Sequence, residues 1–180
     1  MRFDQAQAYL EQHNWKKAVA GEEDFNKAAR TIELMTSCGR GLIISGEYGV
    51  GKTSLARAII AGLPEVLKVR MAIPSDLELL TPEWESYCAS SCGSRHVFID
   101  DLGAEPTINN YGVRIEAVGD YIVRFHALRK PHVRLILTTN LTERELDARY
   151  GGRVTSRLKD LCVPLRLKGA DKRTWAMVRT

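Results

Sequence analysis

A glycine-rich stretch, residues 46–54, constrains the fold of this chain more than any other part of its sequence. It reads Gly-Glu-Tyr-Gly-Val-Gly-Lys-Thr-Ser and matches the pattern G-x-x-x-x-G-K-[ST]. Its glycines permit positive φ angles, which turn backbone N–H groups inward to form a nest for an anion. Residues 42–45, Leu-Ile-Ile-Ser, predict a short buried strand before this loop, and residues 55–61 predict a helix that begins at Lys52. Strand, loop and helix together indicate a P-loop, in which the positive N-terminus of the helix faces a phosphate.

The polar residues of this loop have distinct candidate roles. Lys52 is expected to place its ammonium group on the β- and γ-phosphates of a nucleotide. The Thr53 hydroxyl is a hard oxygen ligand suited to Mg²⁺. A chance glycine-rich turn would not need the strand before it and the helix after it. The predicted nucleotide-binding residues are Gly46, Glu47, Tyr48, Gly49, Val50, Gly51, Lys52, Thr53 and Ser54.

The length of 180 residues predicts one domain with room for a small appendage. We expect a helical segment over residues 1–38 that packs on the core, and a main domain over residues 39–180 with a basic C-terminal tail. No apolar run approaches the roughly 20 residues that a membrane span requires, and the N-terminus lacks the apolar stretch of a signal peptide. The sequence therefore predicts a cytoplasmic protein without a membrane partner.

The four cysteines are scattered and are expected to be reduced thiols. Two of them, Cys88 and Cys92, lie near His96 and raise the question of a zinc site. A fourth ligand is missing and the spacing is not C-x-x-C, so buried thiols are favoured over metal binding.

The formal net charge of +4 is unevenly placed along the chain. Residues 151–180 hold eight Lys and Arg residues against two Asp residues. Such a basic C-terminal part is a plausible surface for an anion or for nucleic acid. A solvated surface with a few functional arginines has the same composition, so charge alone leaves both interpretations open.

A second apolar run ends in two carboxylates, and it supplies the other half of the predicted site. Residues 97–99 read Val-Phe-Ile and are followed by Asp100 and Asp101. A buried parallel strand would bring these carboxylates beside the P-loop. Asp100 is the candidate Mg²⁺ ligand, Asp101 is placed to orient or activate an attacking water, and Glu105 is a reserve for that role.

Residues 133–137, Val-Arg-Leu-Ile-Leu, predict a further strand that ends in Thr138, Thr139 and Asn140. The Asn140 amide can hydrogen-bond a γ-phosphate or the attacking water, provided that its strand lies between the P-loop strand and the acidic strand.

Periodicity, capping residues and breakers predict the remaining elements. Residues 1–38 predict two helices joined by a turn over residues 14–21. Beyond the P-loop helix we expect a strand over residues 66–72, helices that begin at Ser75 and Glu83, a loop over residues 107–112, a helix over residues 118–129, a helix from Thr142 to about Tyr150, and a last strand over residues 161–167.

Three motifs extend the P-loop into a known pattern. Residues 99–105 read Ile-Asp-Asp-Leu-Gly-Ala-Glu, residues 137–141 read Leu-Thr-Thr-Asn-Leu, and residues 150–158 read Tyr-Gly-Gly-Arg-Val-Thr-Ser-Arg-Leu. In this order and at these spacings, residues 40–168 resemble the AAA+ ATPases, and more narrowly the DnaC/DnaI bacterial helicase loaders and the related IstB transposition helper ATPases. Within that resemblance the motifs correspond to the Walker B stretch, the sensor-1 strand and the arginine-finger region.

The resemblance implies an α/β fold of the AAA+ P-loop type, with five parallel strands flanked by helices and the sensor strand between the P-loop and Walker B strands. It implies binding and Mg²⁺-dependent hydrolysis of ATP. It also implies that Arg153 acts in trans on the nucleotide of a neighbouring copy, with Arg157 as the second candidate. The candidate catalytic residues are therefore Asp101, Asn140, Arg153 and Arg157.

The same resemblance implies a homo-oligomer, single-stranded DNA bound through phosphate contacts, and a replicative helicase or a transposase as partner. Two departures accompany it. Too few residues follow Leu167 to build the C-terminal lid of typical AAA+ proteins, as in the loaders. Residues 1–38 are also shorter than the domain with which the loaders grip a helicase, so either this short segment serves that role or the partner differs.

Two other classes of function stay open from the sequence. A small-molecule P-loop kinase suits the chain length, and arginines near Gly151 would close over its acceptor. Against it, Asp100, Asp101 and Asn140 fit the activation of water better than an acceptor pocket. A non-catalytic adaptor would bind ATP only to dock a partner.

Overall fold

A computed structural model of the chain describes residues 1–61, 66–69, 96–105, 107–110, 113–169 and 171. The helices predicted from Ser75 and Glu83, together with Cys88 and Cys92, lie outside these residues. Among the described residues, no helix combines the length and the apolar character that crossing a membrane requires.

The N-terminal segment, all of which is described, contains three helices where two were predicted. These are α1 (Phe3–Gln12), α2 (Lys17–Ala20) and α3 (Glu22–Cys38). The short α2 occupies the predicted turn, because a single helical turn is too short to show an apolar period. Gly21, with φ +85°, separates α2 from α3, and Gly39, with φ +67°, ends α3 in the left-handed conformation that favours glycine.

The central sheet is parallel and its strand order positions the predicted motifs. It contains β1 (Gly41–Ser45), β3 (His96–Leu102), β6 (Leu135–Thr139) and β7 (Cys162–Arg166) in the order β3-β6-β1-β7. The strand β2 (Val66–Val69) pairs in parallel with the outer side of β3. The prediction of an α/β fold with a parallel sheet flanked by helices is confirmed, and β6 lies between β1 and β3 as expected.

Helices cover both faces of this sheet. They are α4 (Lys52–Ala61), α5 (Ala117–Leu128), α6 (Glu143–Tyr150) and α7 (Gly152–Leu161). The predicted P-loop helix and the helix after Thr142 are confirmed; Thr142 accepts a hydrogen bond from the Glu145 N–H, and the Glu145 carboxylate accepts one from the Thr142 N–H.

Side-chain alternation along the strands divides the core into two clusters. Leu42 and Ile44 join the cluster formed with the N-terminal helices and α4, whereas Ile43 packs against the opposite cluster with α5 and α7. Trp15 and Phe25 stack within the first cluster with ring centroids 6.0 Å apart. Each fully buried side chain of this size contributes about 1.5–3 kcal/mol, so the N-terminal helices are held by burial rather than by a few polar contacts.

Residues 108–110 form a strand, which differs from the prediction of a loop over residues 107–112. Two short strands, β4 (Ile108–Asn110) and β5 (Val113–Ile115), form an antiparallel pair. Strands of three residues are too short to show the alternation that predicts a strand from sequence.

Arg40, which follows α3, ties the start of β1 to the end of α7. Its guanidinium donates to the carbonyl oxygens of Asp160 at 3.1 Å and Cys162 at 2.6 Å, and also to that of Lys159. A cation at a helix C-terminus satisfies carbonyl groups that have no partner within the helix. This contact fixes α7, and with it the predicted arginine-finger motif, relative to the P-loop strand.

Lowering the pH is expected to weaken the fold through His96, which lies buried at the start of β3. Its Nδ1 accepts a hydrogen bond from the backbone N–H of Arg134 at 3.1 Å. Burial lowers the pKa of His96 below its usual value, and the charges of Arg134 and His132 lower it further. The unfolded chain therefore binds the proton more readily, so the stabilisation is complete above about pH 6.5 and is lost as pH falls through the lowered pKa. Urea unfolding across that range should show a steeper decline for the native chain than for His96→Asn. Equal declines would contradict the assignment.

Candidate active site

One carboxylate oxygen joins the P-loop helix to the two strands behind it. The Thr53 hydroxyl, in the first turn of α4, donates to Asp100 Oδ1 at 2.9 Å. The Thr138 hydroxyl of β6 donates to the same oxygen at 2.6 Å. The structure thus brings together the predicted metal ligands Thr53 and Asp100, and it adds Thr138.

The Lys52 side chain is buried inside its own loop. Its ammonium donates to the Gly46 carbonyl at 2.9 Å and to the Glu47 carbonyl at 2.6 Å, and it lies 5.9 Å from the centroid of the Tyr48 ring. These contacts hold a positive charge beside the N-terminus of α4, where an anion is favoured.

The backbone of the P-loop adopts the conformations that its glycines were expected to provide. Gly49 has φ +74° and Gly51 has φ +99°. A Cβ atom on Gly49 would lie 1.7 Å from the Asp171 carboxylate, and one on Gly46 would lie 2.7 Å from the Leu167 carbonyl oxygen. The chain after β7 therefore passes directly against the loop.

The other predicted loop residues contribute in different ways. Val50 is buried in the core, whereas Tyr48 is 70% exposed and Glu47 and Ser54 are exposed. The exposed side chains make no described contact with Asp100. Within the chain, these positions therefore contribute backbone groups to the loop rather than side chains to the site.

Asp101 leaves the regular path of β3. Its φ is +54°, its side chain is exposed, and the pairing of β3 with β6 is irregular between Ile99 and Leu102. The Asp101 N–H donates to the Thr138 hydroxyl at 2.8 Å, which helps to hold this conformation. A non-glycine residue in the left-handed region is uncommon, and such conformations cluster at functional sites.

Asn140 follows β6 and has a buried side-chain oxygen, Oδ1, that accepts no hydrogen bond from the described residues. The preceding Thr139 is fixed, because its hydroxyl donates to the Leu102 carbonyl at 2.7 Å. A cavity of about 660 Å³ is lined in part by Gly46, Glu47 and Asn140. Because buried acceptors are rarely left unpaired, Asn140 Oδ1 is a candidate to accept a hydrogen bond from a water or from a ligand donor.

Glu105 is occupied elsewhere, which corrects its prediction as a reserve for positioning water. Its carboxylate accepts the Gly103 N–H at 2.8 Å and the Tyr150 hydroxyl, and it lies 3.5 Å from the Arg149 guanidinium. Asp101 therefore remains the candidate for that role.

The predicted arginine-finger residues lie on the surface of α7. Arg153 is exposed and, within the described part of the chain, makes no hydrogen bond or ion pair. Arg157 lies 3.7 Å from Asp160 and its side chain is 41% exposed. The structure does not bring either arginine to Thr53 or Asp100 of the same chain.

The oxygen donors at this site fit a hard divalent cation. The Thr53 hydroxyl and the Asp100 carboxylate are the ligand types that Mg²⁺ takes together with phosphate and water. Among the described residues no group of three or more His, Cys, Asp and Glu side chains could hold a metal by itself. His96 uses its Nδ1 for the Arg134 N–H, and Cys162 lies buried with its pKa raised to about 12 by desolvation.

Sequence reasoning missed Thr138 as a site residue. Its hydroxyl both donates to Asp100 and accepts from the Asp101 N–H. The sequence did contain one indication of this role, because Thr138 lies at the end of a strand, shortly before the polar amide of Asn140. Threonines are also common in strands because their branched shape suits them, so the indication is not specific.

Comparison with known proteins identifies the fold. No protein-family model matches the chain, and no curated protein sequence is significantly similar to it. Among solved structures it is similar to the DnaC helicase loader, with 21% identity, a TM-score of 0.56, and coverage of 81% of this chain and 90% of that chain. It is also similar to AMPPCP-bound DnaA from Aquifex aeolicus, with 20% identity, a TM-score of 0.54, and coverage of 83% of this chain and 48% of that one.

A third similar structure is the ADP complex of NtrX from Brucella abortus, with 19% identity, a TM-score of 0.50, and coverage of 80% of this chain and 36% of NtrX. The chain therefore spans less than half of the DnaA and NtrX structures that it matches. At these identities the similarity establishes the fold alone, which is the fold that AAA+ P-loop proteins share.

Replacing Thr138 with valine is expected to lower the free energy of unfolding by about 1–3 kcal/mol, because the partly buried Asp101 N–H and one Asp100 oxygen lose a hydrogen-bond partner. Thr138→Ser keeps the hydroxyl and is expected to lose less. Urea unfolding of both variants checks this, and a valine variant as stable as the serine variant would show that the hydroxyl does not hold the site.

Proposed function

We propose that this chain binds ATP with Mg²⁺ and hydrolyses it as an AAA+ ATPase. The observation that carries the proposal is the Asp100 oxygen shared by Thr53 and Thr138. It places the P-loop helix, the acidic strand and the sensor strand around one point, which is the arrangement that phosphoryl transfer to water requires. The fold, shared with ADP- and AMPPCP-bound structures, supports it.

In this proposal the backbone of residues 46–54 and the Lys52 ammonium bind the triphosphate. Thr53 and Asp100 hold Mg²⁺, which when bound neutralises charge on the phosphates. Asp101 accepts a proton of the attacking water and orients it. Asn140 accepts a hydrogen bond from that water through its Oδ1, which has no other described partner, or donates one to the γ-phosphate through its side-chain amide N–H. Catalysis then comes from positioning and from charge stabilisation.

The site is completed by a second copy of the chain. Arg153 is exposed at the start of α7 and is the proposed finger, with Arg157 as the second candidate. An arginine supplied in trans stabilises charge on the transferred phosphoryl group. The proposal includes an AAA+ sheet of five strands, with β2 as the edge strand, and a homo-oligomer.

The particular role proposed is that of a cytoplasmic helicase loader of the DnaC/DnaI type, which acts on a helicase-like partner and on single-stranded DNA. The similarity to the DnaC helicase loader and the basic character of residues 151–180 support it. A transposition helper of the IstB type, with a transposase as partner, is the alternative within the same class.

The test is ATP turnover measured against protein concentration, with and without single-stranded DNA. Turnover per chain should rise with concentration, because the site is shared between copies, and DNA should raise it further. Binding of DNA should weaken steeply with salt, because phosphate contacts release counterions. Phosphate transfer that requires a small-molecule acceptor would identify a kinase, and binding of ATP without turnover would identify an adaptor.

A further inference from the structure

Arg149, at the end of α6, joins three separate parts of the fold. Its guanidinium donates to the backbone carbonyl oxygens of Gly103 and Glu105 in the loop after β3. It also lies 3.5 Å from the Glu105 carboxylate and 3.6 Å from that of Glu116, which precedes α5. Its side chain is only 20% exposed. A largely covered cation between two carboxylates thus ties the end of α6 to the loop after β3 and to the start of α5.

The neighbouring Tyr150 makes a second connection to the same loop. Its hydroxyl donates to the Glu105 carboxylate, and burial, followed by the hydrogen bond and the charge of Glu105, raises the pKa of Tyr150. The tyrosine therefore stays a neutral donor. Its ring packs over Gly119 of α5, where an added Cβ atom would lie 3.3 Å from both Tyr150 and Val154.

The loop that these residues hold begins two residues after Asp101. The Ala104 N–H donates to the Asp101 carbonyl at 2.9 Å, and the Gly103 N–H donates to Glu105 at 2.8 Å. The path of residues 103–105 thus fixes the backbone of Asp101 from its C-terminal side, as Thr138 does from the opposite strand.

On its other side, the end of α6 is joined to α7 by hydrogen bonds. The Gly151 N–H donates to the Asp147 carbonyl at 2.8 Å, and the Thr155 hydroxyl donates to the Asp147 carboxylate at 2.8 Å. A displacement of Arg149 and Tyr150 would therefore be carried into the first turn of α7, which presents Arg153.

We infer that Arg149 is a positioning residue. It couples Asp101, which positions water in the chain's own site, to Arg153, the finger that the same chain supplies to the site of its neighbour. Glu105 and Tyr150 complete the coupling. The inference rests on the proposed function and extends it. Arg149 is not one of the residues proposed to bind nucleotide or water, but it sets the positions of Asp101 and Arg153 together, so the state of one site is communicated to the next.

The first test replaces Arg149 with methionine, which keeps length and apolar packing but removes all donors. We expect kcat to fall about tenfold or more, as misplacement of catalytic groups does, while KM and the Kd for ATP stay within about twofold. Arg144→Met, the same change at an exposed position of the same helix, should leave kcat unchanged.

Tyr150→Phe removes one hydroxyl while keeping the ring, so it tests the coupling with little risk to folding and should also lower kcat with KM unchanged. A rise in KM with kcat retained would overturn the inference.

The second test separates the two roles by mixing chains. Lys52→Ala chains, which present an intact Arg153, should not restore turnover to Arg149→Met chains. Arg153→Ala chains should be restored by Lys52→Ala chains, but less well by chains that carry both Lys52→Ala and Arg149→Met.

Full restoration in the first mixture, or equal restoration by the single and double variants, would show that Arg149 serves only one side and would overturn the coupling. If Lys52→Ala chains do not restore Arg153→Ala chains at all, the trans site itself is wrong, and the proposed function falls together with the inference that rests on it.

Discussion

Replacing Arg153 with alanine is expected to lower ATP turnover about 10³-fold while leaving the affinity for ATP nearly unchanged. The side chain is exposed and makes no described contact within its own chain, so its loss should not disturb the fold or the P-loop. Its effect should fall only on charge that develops during the reaction. The measurements are phosphate release, binding of a fluorescent ATP analogue, and thermal unfolding.

Mixing tests whether this arginine acts between copies. Chains with Arg153→Ala keep an intact P-loop, and chains with Lys52→Ala keep an intact finger, so equal mixtures should recover part of the native turnover. Arg157→Ala serves as the comparison for the second candidate, and Arg144→Ala as a control at an exposed arginine of α6. The assignment of Arg153 as the finger would be contradicted if the mixture recovered no turnover. It would also be contradicted if Arg157→Ala lowered turnover more than Arg153→Ala does.

Replacing Lys52 with alanine is expected to weaken ATP binding by about 10- to 100-fold, the loss of a charged hydrogen-bonding group, and to reduce turnover at least as much. The ammonium is buried in the loop and bonds to the carbonyl groups of Gly46 and Glu47, so the variant should also lose about 1–3 kcal/mol of stability.

Lys130→Ala, at an exposed lysine, is the matched control and should bind and hydrolyse ATP normally. Isothermal titration and phosphate release check both variants, with urea unfolding to confirm that Lys52→Ala is folded. If Lys52→Ala hydrolysed ATP at the native rate, the P-loop would not be the site of hydrolysis and the proposed mechanism would be wrong.

Patterns of adjacent residues were enough to predict several local parts of this protein. The P-loop with its helix, the acidic end of β3 and the polar end of β6 were predictable, because each is a run of adjacent residues whose pattern reflects local geometry. The capping box at Thr142 was predictable for the same reason. The short helix α2 and the pair β4 and β5 were not, since elements of three or four residues show no period.

The contacts between side chains that are far apart in the chain could be read only from the tertiary structure. It placed Thr138 on Asp100, drew Glu105 away from the water-positioning role, and inserted Arg149 between Glu105 and Glu116. These contacts join residues that are far apart in the chain, and each depends on the order in which parallel strands are laid side by side. Strand order and helix packing arise from burial over the whole core, and no stretch of sequence carries that information alone.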